Sequence, residues 1–396
     1  MTTRRCDIVD PAVSGVYHCI SRCVRRFSLI ENWSRRRWLV QRLEFLSTHF
    51  GIDVISFAIM RNHMHLLLRS RPELIAVMSD REAAFRWKSL LRPRARRSLF
   101  GDVESNAICE KDLASITCSP ARIAKVRADL SDLGFFHRLL KEPCARMWNR
   151  EEEATGHLWE GRYKSPRVLD DEMLLSVSAY IDLNEIHAGA ALGIDSSLWS
   201  SVRLQWQRLL DAARVQLSTG ANESIAIEDV LSAITWEPVF PSGANITLLQ
   251  DADVVPLKVA NPPPLPVRSI ATYVDFVDRM GRRTRSDKAC HIQPDAPRAL
   301  ALLLNGLERV VARSGARQSI AELKERLRTA VHQVERSVES SICEIARVTL
   351  DGVDPWLWSE RGRGSCYGLR SALQLESTRR GCARVSSVFP APSPPS

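Results

Sequence analysis

At 396 residues the chain is long enough for two or three domains, each with its own core. Hydrophobic content of 45% and charged content of 26% are those of ordinary globular protein, and no apolar run is long enough to span a bilayer. Lys and Arg (55) outnumber Asp and Glu (46), and the formal charge of +9 favours a polyanionic partner without naming it.

The opening stretch, MTTRRCDIVDPAVSG, has basic residues but no apolar segment behind them, so no secretory signal is read and a cytoplasmic location is expected. The ten cysteines form no CxxC pair; Cys19 and Cys23 stand four apart without a matching second pair. That excludes a disulfide scaffold and a zinc ribbon and leaves reduced thiols as the default. Gly15–Arg22, GVYHCISR, reads as a first strand with Tyr17 and Cys19 facing one way and Val16, His18 and Ile20 the other. A basic turn with Arg22, Arg25 and Arg26 follows. The spacing of Trp38, Leu39, Leu43, Leu46 and Phe50 then predicts a helix over 33–50, with Arg35, Arg36 and Arg37 opening its polar side.

Ile52–Met60 and His63–Arg69 read as neighbouring strands joined by a tight turn at Arg61-Asn62. Pro72–Leu91 looks helical and runs into a basic stretch with Lys88, Arg92, Arg94, Arg96 and Arg97 around Pro93, either a solvated face or a track for phosphates. Residues 101–120 show no clear period and read as a loop, whereas Ala124–Trp148 returns to helical spacing. In Gly156–Val168, GHLWEGRYKSPRV, Leu158, Trp159, Tyr163 and Val168 are separated by polar residues, as in a fourth strand. Its Arg162, Lys164 and Arg167 are basic, and its Trp159 and Tyr163 are either stacking rings for bases or core aromatics. Asp170-Asp171-Glu172 suit a helix N-terminus, and the helix is expected to run through MLLSVSAYIDLNEIHAGAAL with Gly189 as its stop.

Chemistry concentrates in two places. Residues i and i+2 of a strand share a face, so His63 and His65 present both imidazoles together. Such a pair is either two structural histidines or half of a metal site. Downstream, Tyr180 and Asn184 lie four apart and therefore one above the other on their helix. A buried asparagine amide needs partners, which makes Asn184 the less comfortable of the two. If that helix lies over the histidine face, one metal takes His63, His65 and the Asn184 oxygen while keeping open positions, and Tyr180 stands beside it as a nucleophile toward phosphorus.

At this point the chain resembles the single-tyrosine HUH transposases, specifically the REP-associated tyrosine transposases and their larger bacterial relatives. The matching pieces stand in the family's order: GVYHCISRCVRR, FAIMRNHMHLLL, GHLWEGRYKS and AYIDLNEIHAG. They cover about residues 10–205, with a weaker likeness in TYVDFVDRMGRRTRSDK at 272–288. The resemblance implies an α+β fold, a ferredoxin-like antiparallel sheet with helices on one side, followed by a mainly helical C-terminal region. It implies Mg²⁺ or Mn²⁺ bound by His63, His65 and Asn184, with Tyr180 attacking single-stranded DNA at the foot of a hairpin or imperfect palindrome. The products would be a 5′-phosphotyrosine and a free 3′-hydroxyl. Family members act as dimers or as monomers. Two departures stand out: Glu185 occupies the place of the family's proline and His187 that of its arginine. Arg22, Arg25, Arg26, Trp159, Arg162, Tyr163 and Lys164 are the candidate DNA contacts.

The expected organisation is a catalytic domain over 1–210, a helical and linker region over 211–266, a helical accessory domain over 267–385 and a disordered tail over 386–396. Asp211–Trp236 reads as two helices, Asn261–Pro266 as a stiff connector, and Ala316–Val348 as an amphipathic helix or pair. Tyr273–Lys288 pairs an apolar face (Val274, Val277) with Arg279, Arg282, Arg283, Arg285 and Lys288, a phosphate-binding face or a solvated helix end. Two other classes compete with the transposase: a DNA-binding regulator that keeps the fold but not the chemistry, and a metal-dependent hydrolase. The lack of further His/Asp clusters argues against the hydrolase.

Overall fold

The computed structural model describes residues 9–10, 12–91, 108–218, 234–243, 269–283 and 289–303, together with 329, 366–367, 375–376 and 378–379. The basic run at Arg92–Arg97, the connector at 261–266, Arg285 and Lys288, nearly all of the helical stretch over 316–348, and the tail lie outside these residues. The chain divides into two compact units: residues 1–55, 59–168 and 240–262 form the first, and residues 56–58, 169–239 and 263–396 the second.

The first unit is built on four strands, β1 (Gly15–Arg22), β2 (Ile52–Ile59, whose residues 56–58 count with the second unit), β3 (His63–Ser70) and the short β4 (Arg167–Val168). Their order in the sheet is β2-β3-β1-β4, with β1 antiparallel to both neighbours. One helix, α1 (Trp33–His49), connects β1 to β2. Among the described residues five helices lie between β3 and β4: α2 (Pro72–Ala76), α3 (Asp80–Leu91), α4 (Glu110–Thr117), α5 (Pro120–Ser131) and α6 (Leu133–Glu151). This is the expected α+β, ferredoxin-like order, with an enlarged second crossover. In β1 the side chains of Tyr17 and Cys19 are fully buried and Ser21 nearly so, while Val16, Ile20 and Arg22 are half-buried, as the alternation requires.

The helices depart from the expected boundaries where capping residues intervene. Asp132 accepts a hydrogen bond from the Phe135 N–H and starts α6, so 124–148 is two helices rather than one. Within 101–120, α4 forms where a loop was expected; only Leu113 and Ile116 of its eight residues are buried, too few to show a period. β4 is shorter than expected: most of Gly156–Pro166 follows β1 only through isolated bridges, Ile20 to Lys164 and Cys23 to Trp159.

The polar side expected for α1 is half missing, because Arg35, Arg36 and Arg42 are buried and Arg37 stays exposed. Arg35 donates to the Leu29 carbonyl and pairs with Glu151 and Glu152, which end α6 and flank it; a cation there suits the partial negative charge of a helix C-terminus. Arg36 Nε donates to the Ile30 carbonyl at 3.1 Å. Arg42 answers a need created elsewhere. Pro143 sits inside α6 without an N–H, so the Leu139 carbonyl four residues earlier loses its helical donor, and Arg42 Nε supplies one at 3.2 Å.

In the second unit α7 (Asp171–Asp182) is N-capped by Asp170, whose side chain accepts from the Met173 N–H at 2.9 Å. The helix does not continue to Gly189. It breaks at Leu183, and a single turn, α8 (Asn184–His187), follows, after which Ala188 is exposed. Glu185 is drawn into the structure at this break: its carboxylate accepts from Ser197 Oγ at 3.0 Å and from the Trp199 N–H at 2.8 Å. Among the described residues the unit also holds α9 (Ser201–Ser218), α10 (Ile270–Gly281) and a helical stretch over 299–303. α10 buries Tyr273, Val274 and Val277 and packs against α7 and α9. Two of its basic residues are paired with acids of the unit, and Arg283 is exposed. Arg279 and Arg282 pair with Asp275 and Asp278 of the same helix at 2.6 and 2.9 Å, and Arg298 reaches the same two acids.

α7 and α10 are tied at Asp182. Its fully buried carboxylate accepts from Tyr273 Oη at 2.5 Å, from the Val202 N–H at 2.8 Å and from Ser201 Oγ, and Tyr273 Oη also meets Ser178 Oγ at 2.8 Å. Desolvation pushes the Asp182 carboxyl up to about 7 against the pull of these donors. A folded-state value above the unfolded one gives stability that is full below about pH 4 and is lost as pH rises to about 7. Three units correspond to a ceiling of about 4 kcal/mol. Urea unfolding at steps between pH 4 and 8 should therefore show a decline in the native chain that Asp182→Asn lacks; parallel pH profiles would refute the assignment.

Candidate functional site

The β3 register decides what the histidines face. Antiparallel pairing sets His65 opposite Ile20 and His63 opposite Arg22, so both imidazoles lie on the β1 face that carries Ile20 and His18, while Met64 and Leu66 oppose Ser21 and Cys19 on the other. His65 is buried, 4% exposed, and His63 is half-buried. Their ring centroids are 5.0 Å apart with the planes near perpendicular. A third imidazole joins them. His18 of β1 is fully buried, stacks on His65 with centroids 5.1 Å apart, and places its Nε2 2.9 Å from His65 Nδ1. Burial pushes His18 down to about 3, so its ring is neutral at physiological pH. The sequence put His18 on the Ile20 face of β1; pairing β1 with β3 brings it to His65, and adjacency of those strands was the missing signal.

The tautomer of His63 follows from its neighbours. Asn62 Nδ2 donates to the Arg26 carbonyl at 2.9 Å, which turns the Asn62 Oδ1 to His63 Nδ1 at 2.7 Å. An amide oxygen only accepts, so His63 Nδ1 carries the proton and His63 Nε2 keeps its lone pair. His65 also uses Nδ1 for its hydrogen bond to His18. Both rings thus have Nδ1 engaged; a ring whose Nδ1 carries the proton has Nε2 available to a metal, the state the Asn62 contact sets at His63 and the His18 contact permits at His65. The donor set fits a divalent cation as two neutral nitrogen ligands. Among the described residues no group of three His, Cys, Asp or Glu side chains could hold a metal.

Tyr180 and Asn184 stand where α7 ends. Tyr180 is half-buried in the last turn. Asn184 is 9% exposed and uses Nδ2 to donate to the Tyr180 carbonyl at 3.0 Å and the Ile181 carbonyl at 3.1 Å, adding donors to the last turn of the helix. Neither bond uses Oδ1, the atom through which an amide ligates a cation. The helix C-terminus adds partial negative charge there.

The candidate nucleic-acid contacts separate into two groups. Arg25, Arg26, Arg162 and Lys164 are exposed and Arg22 is half-buried. Trp159 and Tyr163 belong to the core: Trp159 is 9% exposed, donates from Nε1 to the Lys141 carbonyl at 3.2 Å and has the Lys141 ammonium over its ring, and Tyr163 is stacked on His137 with centroids 3.6 Å apart. Their rings are covered, so they offer no face to a base.

Residues 12–78 match the family described as Transposase IS200 like. The match runs from before β1 through α2 and includes His18, Asn62, His63 and His65; Tyr180 and Asn184 lie beyond it. No curated protein and no solved structure matches the chain. No helix among the described residues is long and apolar enough to cross a membrane.

The tautomer assignment can be read without any metal. Long-range ¹H–¹⁵N correlation spectra of the metal-free chain should show His63 protonated at Nδ1, and Asn62→Ala should convert it to a mixture with the Nε2–H form. An Nε2–H ring in the native chain would show the Asn62 geometry to be wrong.

Proposed function

We propose that the chain is a transposase that cleaves and rejoins single-stranded DNA at hairpin-flanked or imperfectly palindromic sites through a covalent phosphotyrosine. The observation that carries this reading is the His63–His65 pair, held by Asn62 and His18 with both Nδ1 atoms engaged, inside the segment that matches IS200-like transposases. His63, His65 and Asn184 are assigned as the ligands of Mg²⁺ or Mn²⁺ and Tyr180 as the nucleophile. The divalent ion, when bound, supplies positive charge against the negative charge that grows on the phosphate oxygens during displacement.

The protein's own part is the displacement. Tyr180 Oη forms a bond to phosphorus while the bond from phosphorus to the 3′-oxygen breaks. The phenol proton leaves to solvent and the departing 3′-oxygen takes one up, so a 5′-phosphotyrosine and a free 3′-hydroxyl result. Rejoining is the reverse attack by a 3′-hydroxyl on the phosphotyrosine, and one phosphodiester is exchanged for another without a high-energy cofactor. A phenol with its ordinary value near 10 is a weak nucleophile at neutral pH, which is why the reading needs the cation as well as the tyrosine. Asn184 fits its role through the oxygen its two backbone bonds do not use. The replacement of the family's proline by Glu185 does not count against activity, since its carboxylate is engaged by Ser197 and Trp199 and supports the turn after Asn184.

The test is a hairpin-bearing single strand taken from repeated palindromes flanking the coding sequence, incubated with Mg²⁺ or Mn²⁺ and run under denaturing conditions. A protein–DNA adduct is expected, absent in Tyr180→Phe and reduced at least 10²-fold in His63→Ala and His65→Ala, as on removal of the cation with a chelator. Equal product from Tyr180→Phe overturns the nucleophile; specific binding of that DNA with no adduct from the native chain favours a regulator that kept the fold and lost the chemistry.

A further inference from the structure

Among the described residues the large aromatic side chains left exposed are Phe27 (52%) and Trp33 (56%), and both lie in the connection from β1 to α1. That connection is firmly braced. The Cys23 N–H donates to the Asn62 carbonyl at 2.8 Å, the Ile30 N–H to the Arg61 carbonyl at 2.8 Å, and Asn62 Nδ2 to the Arg26 carbonyl at 2.9 Å, while Ile30 is fully buried beneath. The loop is therefore anchored on the turn that leads into His63. Arg25 and Arg26 adopt φ of 51° and 58°, two successive non-glycine residues in the left-handed region, a local strain kept where side chains are aimed for a purpose. Arg25, Arg26, Arg37 and Arg61 are exposed, and the Arg37 guanidinium lies over the Trp33 ring at 5.1 Å. Over residues 23–37 there are five arginines and one acid, Glu31, which pairs with Arg61 at 3.5 Å.

We propose that this loop is a stacking platform for unpaired bases, with Phe27 and Trp33 each taking a base face and Arg25, Arg26 and Arg37 the phosphates beside them. The proposal rests on the single-strand reading above and assigns it the residues that distinguish a single strand from a duplex. Exposed rings among arginines match a polyanion with free π-faces; in a duplex those faces are already stacked on each other. A second copy of this chain is the poorer occupant, because a twofold contact would set the same arginine-rich loop against itself. Trp33 is prepared for the role, since one side carries the Arg37 cation and more than half of the residue is open to solvent.

Anisotropy titrations of the metal-free, full-length chain with a labelled single-stranded oligonucleotide lacking a hairpin, and with its duplex, test this. Phe27→Ala and Trp33→Ala should each weaken single-strand binding about 5- to 100-fold and leave duplex binding and the melting temperature unchanged. Phe27→Tyr and Trp33→Phe should restore most of the single-strand affinity. Equal losses on single strand and duplex would show that charge, not stacking, is at work and overturn the platform, as would native single-strand affinity in both alanine variants. A change from dimer to monomer by light scattering with DNA affinity intact would instead make the loop a contact between copies and overturn it too. If the native chain itself shows no preference for the single strand, the single-strand reading fails; if the preference survives in the alanine variants, only the platform does.

Discussion

The pairing of β1 with β3 is the constraint on which the histidine site depends. Eight register pairs, from Gly15–Ser70 to Arg22–His63, fix which side chains share a face. A slip of one residue would turn His63 and His65 to the side of Tyr17 and Cys19 and bring Met64 and Leu66 to the opposite face. What prevents the slip is the burial of Tyr17, Cys19, Met64, Leu66 and Leu68, all fully removed from water on one side. Each such side chain contributes about 1.5–3 kcal/mol when buried, so a register that exposed several of them would cost more than a small domain's whole stability. The hydrophobic face thus sets the polar one: the histidines are where they are because Met64 between them, and Leu66 and Leu68 after them, are where they must be.

Polar groups then finish what register begins. A histidine can bind a cation only through a nitrogen that carries no proton, and on a bare strand the two tautomers would compete. Asn62 removes that freedom at His63, and it can do so because its own amide is oriented by the Arg26 carbonyl. The left-handed turn at Arg25 and Arg26 therefore has a consequence two hydrogen bonds away, at the ring of His63. The same turn carries the exposed arginines, so one piece of backbone serves both the His63 ring and the basic surface.

How much of this the sequence revealed depends on whether the signal was local. The strand alternation in GVYHCISR, the turn at Arg61-Asn62 and the shared face of His63 and His65 are set by neighbours in the chain, and all were readable. The buried Arg42 was not, because its reason is a carbonyl orphaned by Pro143 in a helix about a hundred residues away. His18 was placed on the correct face, but its partner emerges only when β1 and β3 are known to be adjacent. Trp159 and Tyr163 show the limit of composition: aromatics interleaved with Arg162 and Lys164 look the same whether the rings face a base or the core, and burial against Lys141 and His137 decides for the core. Exposed Phe27 and Trp33 went unremarked because an exposed ring leaves no periodic trace.

The helix that carries Tyr180, the nucleophile proposed above, is not an ordinary helix. YIDLN reads as continuous helical spacing, yet the chain breaks at Leu183, and both flanking polar residues turn inward. Asp182 takes donors from Tyr273, Ser201 and Val202, and Asn184 turns back to the carbonyls of Tyr180 and Ile181. A helix end normally frays, because its last carbonyls lack donors. Here they have one in Asn184, and the residue between Tyr180 and Asn184 is locked by α10. Through Tyr273, a residue almost a hundred positions downstream, α10 braces the turn on which the Tyr180 phenol stands. A phenol must be held still to be in line with a phosphorus–oxygen bond, and a carboxylate buried two residues away, at the expense of its own solvation, is a physical reason for that turn to keep one conformation.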